Sequence, residues 1–138
     1  MEIIVDDLTG PEIAKLLNDH AKDMFRHTPP ESVHTLDIEA LRGPDITFWS
    51  VWSENELMGC GALKDLGGGH GELKSMRTAD DHIRKGVAAK ILNHIEAVAH
   101  EMGMTRLSLE TGSMSAFEPA RQLYLRFGFT ECAPFADY

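Results

Sequence analysis

The chain has 138 residues, 43% of them hydrophobic and 25% charged, which suits one folded domain spanning 1–138 with a single substantial core. Thirteen Lys and Arg stand against 22 Asp and Glu, a net charge of −9, which argues against non-specific nucleic-acid binding. No segment is of low complexity, and no apolar run approaches the roughly 18 residues of a membrane span, so neither disorder nor a membrane partner is expected.

In chain order, Ile3–Val5 reads as a short strand, too short and too closely followed by acid to be a signal segment. Thr9-Gly10-Pro11-Glu12 then predicts a helix start, with Thr9 capping, Glu12 reaching back and Pro11 in the first turn. Ile13, Leu16 and Leu17 follow at helical spacing, and the Pro29-Pro30 pair ends that helix. A second short helix is expected over 38–41.

Ile46–Trp52 is β-branched and aromatic, Ser53–Glu56 is a turn, and Leu57–Lys64 pairs back as a hairpin. After Gly67-Gly68-Gly69 another strand runs from His70 to Thr78. Arg84–Met102 reads as the longest helix, with Val87, Ile91, Leu92, Ile95 and Val98 on one face and Gly103 as its stop. Thr105–Glu110 is a strand, Glu118–Phe127 a helix closed by Gly128, and Phe129 begins a last strand. The pattern is mixed α/β, hairpins first and a strand–helix–strand–helix–strand unit last.

Chemistry concentrates in two stretches. In the first, a helix opening at Arg84-Lys85-Gly86-Val87-Ala88-Ala89 offers unpaired amides and a positive dipole end, with Arg84, Lys85 and Lys90 adding charge to an acidic chain. Such a start can hold a phosphate; equally, it can be a solvated basic turn. The second stretch is Ala120-Arg121-Gln122-Leu123-Tyr124-Leu125-Arg126-Phe127-Gly128-Phe129, about 35 residues further on.

Together, over roughly 46–134, the two stretches resemble the GCN5-related N-acetyltransferase (GNAT) superfamily. Pro29-Pro30-Glu31-Ser32, Lys74-Ser75-Met76-Arg77 and Leu109-Glu110-Thr111-Gly112-Ser113 resemble its YsnE-type bacterial members. The resemblance implies an α/β GNAT fold, a mixed and mostly antiparallel central sheet flanked by helices. It implies acetyl-CoA as co-substrate, its pyrophosphate on Arg84, Lys85, Gly86, Val87, Ala88 and Ala89 and its pantetheine along Met76, Arg77 and Thr78. Tyr124 matches the family's general acid, against the alternative of a tyrosine that merely packs the helix. Three positions depart from the family's pattern: Ile83 where Gln or Arg is usual, Ala88 where a second Gly is usual, and Phe117 where Asn often stands.

Transfer to an amine also requires a base, because an alkyl ammonium with pKa near ~10.4 is almost wholly charged at neutral pH. Glu72 and Glu110 rank ahead of His70 for that role, though each equally suits a structural or substrate-orienting part. His70-Gly71-Glu72 supplies two metal ligands without a third at diagnostic spacing, so no metal is expected. The resemblance implies acceptor recognition between the first helices, which makes 27–34 a candidate acceptor loop with Pro30, Glu31 and His34 at the substrate, against the alternative of a plain connection.

The function expected is an N-acetyltransferase moving acetyl from acetyl-CoA to a small-molecule amine in a ternary complex. A CoA-binding regulatory module without turnover and a protein N-acetyltransferase are the alternatives. An acidic chain favours a cationic acceptor. Cys60 and Cys132 lack CxxC spacing, and with seven Met they suit a reducing compartment, the cytoplasm. Only nine residues follow Phe129, too few for a closing hairpin; the sheet is therefore expected to lack its final strand and to offer that edge to a homodimer.

Overall fold

The computed structural model describes residues 1–27, 41–110 and 118–130. Five strands form one sheet in the order β1 (Glu2–Val5), β2 (Ile46–Ser53), β3 (Glu56–Gly67), β4 (His70–Thr78) and β5 (Arg106–Leu109). The first three pairings are antiparallel and β4–β5 is parallel, as the mixed sheet expected from the sequence requires. Glu54 and Asn55, both at positive φ, close β2 onto β3, and Gly68 and Gly69 close β3 onto β4. Both are two-residue loops with left-handed centres, the geometry that matches strand twist.

Among the described residues three α-helices cover the sheet: α1 (Pro11–His27), α2 (Val87–Glu101) and α3 (Glu118–Arg126). Alternation along the strands builds two cores. On one face Phe48, Cys60 and Ala62 meet Ile13, Leu16 and Leu17 of α1. On the other, Trp49, Val51, Leu63 and Leu73 meet Val87, Ile91, Leu92 and Ile95 of α2 and Tyr124 of α3. The sheet is thus the middle layer of three.

The small run Gly59-Cys60-Gly61-Ala62 in β3 lets α2 lie close. A Cβ on Gly61 would come within 2.7 Å of Ile91 Cγ2 and of Met76 Sδ, and one on Gly59 within 2.8 Å of Val87 Cγ1. Real Cβ atoms do not approach so near, so α2 could not keep this position over larger residues.

Three expectations need correction. The Thr9 hydroxyl donates to Asp7 Oδ1 at 2.6 Å instead of capping α1, whose first bond runs from the Ala14 amide to the Gly10 carbonyl. An aspartate two residues away is simply the nearer acceptor. The start of the longest helix moves from Arg84 to Val87, because Arg84 and Gly86 both take left-handed φ and cannot extend a right-handed helix. β3 runs on to Gly67 past Lys64, since the tight Gly68-Gly69 loop lets both strands pair to their ends. The helix expected at 38–41 falls almost wholly outside the described residues. Of the strand expected from Phe129, only Phe129 and Thr130 are described, and they have no regular structure.

Candidate active site

The site begins where β4 and β5 part. They pair from His70 with Arg106 to Leu73 with Leu109; β5 then ends, while β4 continues to Thr78. Along Lys74–Thr78 the β5 side of β4 therefore has no strand partner among the described residues, which leaves an extended backbone edge able to bond a ligand.

A bulge marks the same place. Cys60 lies opposite Arg77 and Ala62 opposite Lys74, so Ser75 and Met76 share the single position opposite Gly61. Ser75 takes φ 56 to make the bulge, and the buried Cys60 thiol donates to its carbonyl at 3.2 Å. Burial pushes that thiol up to about 12. The extra residue resets the face pattern: Arg77, rather than Met76, joins Glu72 and Lys74 on the α1 side.

Beyond β4 a 3-10 turn (Asp80–His82) leads into an exposed loop, 83–86, and then α2. The first intrahelical bond of α2 is from the Lys90 amide to the Gly86 carbonyl, 3.1 Å, so the amides of Val87, Ala88 and Ala89 have no partner within the helix. No side chain caps them and no acid occupies the first turn. With Arg84 and Lys85 on the approach, the arrangement fits a polyphosphate.

The loop is braced from β3. His82 is buried, with Nε2 2.9 Å from Glu56 Oε1, and Lys85 Nζ stands 3.2 Å from its Nδ1. Since Lys85 can only donate, Nδ1 accepts and Nε2–H donates to Glu56, one neutral tautomer meeting both demands. The Ala79 amide also bonds the Met58 carbonyl at 2.8 Å. Sequence reading missed this brace: Glu56 and His82 lie 26 residues apart, and only the β3–β4 register joins them.

The two leading candidates for proton transfer lie on opposite faces. Tyr124 is buried in the α2-side core, with its ring edge-on to Phe129 at 5.8 Å between centroids. Desolvation pushes its phenol up to about 12. Glu72 faces the α1 side, only 2% exposed, and opposite Lys64 and Ser108. Its Oε1 is 3.4 Å from Lys74 Nζ, while Oε2 has no hydrogen-bond partner among the described residues. Nearby, His70 Nε2 lies 2.7 Å from the buried Ser108 hydroxyl.

Glu110 is exposed just past the end of β5. Met76 packs under α2, Arg77 Nη2 reaches Asp80 at 3.3 Å, and Thr78 lies opposite Gly59. Thus Met76–Thr78 lead through one turn to 84–89, and the two expected cofactor segments are continuous. Pro30, Glu31 and His34 lie outside the described residues. Among the described residues no group of three or more His, Cys, Asp or Glu could hold a metal ion, and no helix is long and apolar enough to cross a membrane.

Comparison with known proteins identifies the family. The acetyltransferase (GNAT) family pattern matches residues 13–129. The uncharacterized N-acetyltransferase YsnE of Bacillus subtilis (strain 168) is 59% identical over 138 residues, covering 100% of this chain and 91% of that protein. The uncharacterized N-acetyltransferase YedL of Escherichia coli (strain K12) is 53% identical over 136 residues, covering 99% and 86%. A GNAT family acetyltransferase from Elizabethkingia anophelis, crystallised with acetyl-CoA bound, superposes with a TM-score of 0.72 at 19% identity, covering 96% of this chain and 77% of that one. By pattern, sequence and fold, the chain belongs to the GNAT acetyltransferase family.

Proposed function

We propose that the protein transfers acetyl from acetyl-CoA to an amine of a small molecule, directly, with both substrates bound. The observation that carries this reading is the continuity of open β4 edge, bulge and uncapped α2 start, beside a buried carboxylate with an unused oxygen. Acetyl-CoA supplies an activated acyl carbon on a thiolate leaving group.

The amides of Val87–Ala89 hold its pyrophosphate, and Arg84 and Lys85 add salt-sensitive attraction. Its pantetheine lies along Met76–Thr78, where a backbone amide polarises the thioester carbonyl. Glu72 Oε2 accepts a proton from the ammonium, the freed nitrogen attacks the carbonyl carbon, and the nitrogen, now bonded to carbon, releases its second proton to solvent as the amide forms. As the C–S bond breaks, Tyr124 gives its proton to the departing sulfur and regains one from solvent. Acid and base on opposite faces suit a thioester lying between them. A phenol held neutral up to about 12 stays protonated for that task. Glu110 is the second carboxylate at the mouth, suited to orienting the acceptor.

The experiment is an acetyl-CoA turnover screen over amines, amino acids and aminated metabolites, read as thiol release. Acceptor-dependent release supports the reading. Tight CoA binding with no release from any acceptor would instead make the chain a CoA-binding module, and release only with peptides would make it a protein acetyltransferase.

A further inference from the structure

Net charge and local charge have opposite signs in this molecule. The α1-side face of β3 and β4 carries Lys64 opposite Glu72, Lys74 opposite Ala62 and Arg77 opposite Cys60. The Lys74 and Arg77 side chains are only 19% and 15% exposed, although the chain as a whole carries −9. Among the described residues the acids on or near this face include Glu72 itself, Asp80, which pairs with Arg77, Asp6, which accepts from the Ser50 hydroxyl opposite Cys60, and Asp19 of α1, whose carboxyl is held low first by Lys15 and more distantly by Arg77.

Within that setting one buried carboxylate oxygen, Glu72 Oε2, has no hydrogen-bond partner among the described residues. A buried carboxylate oxygen without a donor is costly, and an incoming N–H group would satisfy it. A plain alkyl ammonium would bring a fourth positive charge against Lys64, Lys74 and Arg77 and lose solvent as it did so. An ammonium that carries its own anion would not.

Resting on the acetyl-transfer reading above, we infer that the acceptor is an amino-carboxylate. Its nitrogen meets Glu72 Oε2, and its carboxylate lies among the Lys74 and Arg77 side chains. Both cations keep their present protein partners, so the carboxylate shares them. Lys74 Nζ stands 3.4 Å from Glu72 Oε1, so an amino acid, with ammonium and carboxylate on one carbon, is compact enough to meet both. The bulge is what brings Arg77 to this face, so the strand irregularity serves selectivity as well as the thioester.

The test uses the wild-type protein and acceptor pairs that differ only in the carboxylate: lysine and cadaverine, tyrosine and tyramine, phenylalanine and phenethylamine. Rates are normalised to the free-base fraction of each amine. The amino acid of the preferred pair should show kcat/KM higher by roughly 10- to 100-fold, the range of one charge-assisted bond. Lys74→Met should erase most of that preference through acceptor KM while KM for acetyl-CoA holds, and Lys74→Arg should retain it. Equal or faster turnover of the decarboxylated amines overturns the inference and leaves acetyl transfer standing. No release from any acceptor overturns both.

Discussion

Gly86 holds its unusual backbone in open space: its φ is 80, yet a Cβ there would meet nothing within 4 Å. Gly86→Ala therefore costs only the left-handed conformation, of order 1 kcal/mol, and leaves the amides of Val87–Ala89 exposed. Gly86→Glu adds a negative charge beside the phosphate site. Calorimetry should show affinity for acetyl-CoA near wild type in the alanine variant and at least ~10-fold weaker in the glutamate variant, the latter deficit shrinking in salt. Equal affinities in all three proteins would place the phosphates elsewhere. Tyr124 can be examined in the same spirit. Tyr124→Phe keeps the ring packed edge-on to Phe129, so stability should hold while kcat falls roughly 10²-fold, as expected when a general acid is lost. With its phenol pushed up to about 12, Tyr124 should add no falling limb to the pH–rate profile below pH 11. A limb near the ordinary tyrosine value that vanished in Tyr124→Phe would contradict that assignment.

At the scale of elements, the interplay of β3 and α2 decides where the proposed phosphate site stands. Gly61→Val would drive a side chain into Ile91 and Met76, which lie within 2.7 Å of a Cβ at that position. Denaturation should show a loss of about 1–3 kcal/mol, the usual range for overpacking. Because the displaced helix carries the site's amides, acetyl-CoA affinity should fall as well; stability lost with affinity unchanged would show that α2 moves without its N-terminus. The sequence made the regular parts of this arrangement legible. β-branched and aromatic residues marked β2, the turn at 53–56 and the three glycines at 67–69 marked β3 and β4, and helical spacing of Val87, Ile91 and Ile95 marked α2. Gly86 and Tyr124 could be picked out because a phosphate turn and a tyrosine before Gly-Phe each leave a local pattern. What stayed hidden depends on register. The bulge at Ser75, the Glu56–His82–Lys85 brace and the arrival of Arg77 beside Glu72 arise only when particular residues of β3 face particular residues of β4. The run Gly59-Cys60-Gly61-Ala62, small on both faces, was the available sign that something packs closely there.

For the whole molecule, two buried groups tie stability to alkaline pH. Cys60 is raised from 9.0 to about 12 and Tyr124 from 10.0 to about 12, both chiefly by desolvation. Each prefers its neutral form when folded, so its contribution is intact below the unfolded value and is lost as pH rises towards the folded one. Unfolding free energy should decline from about pH 9 with a slope approaching ~1.4 kcal/mol per pH unit for each group engaged. Cys60→Ala should flatten the segment between pH 9 and 10, whatever the cavity does to absolute stability. An unchanged slope in denaturant titrations of that variant would mean that the thiol ionises freely in the folded protein.

The account as a whole turns on Glu72, the buried carboxylate on the far side of the sheet from Tyr124. The measurement that bears on it most directly pairs acetyl-CoA affinity with kcat in wild type and Glu72→Gln, using whichever acceptor turns over best. The substitution keeps the shape of the side chain and removes its capacity to take a proton. The account predicts affinity within about twofold and kcat lower by roughly 10²-fold or more, with the residual rate rising steeply with pH as more free amine becomes available. A glutamine variant with wild-type kcat and an unaltered pH profile would contradict it.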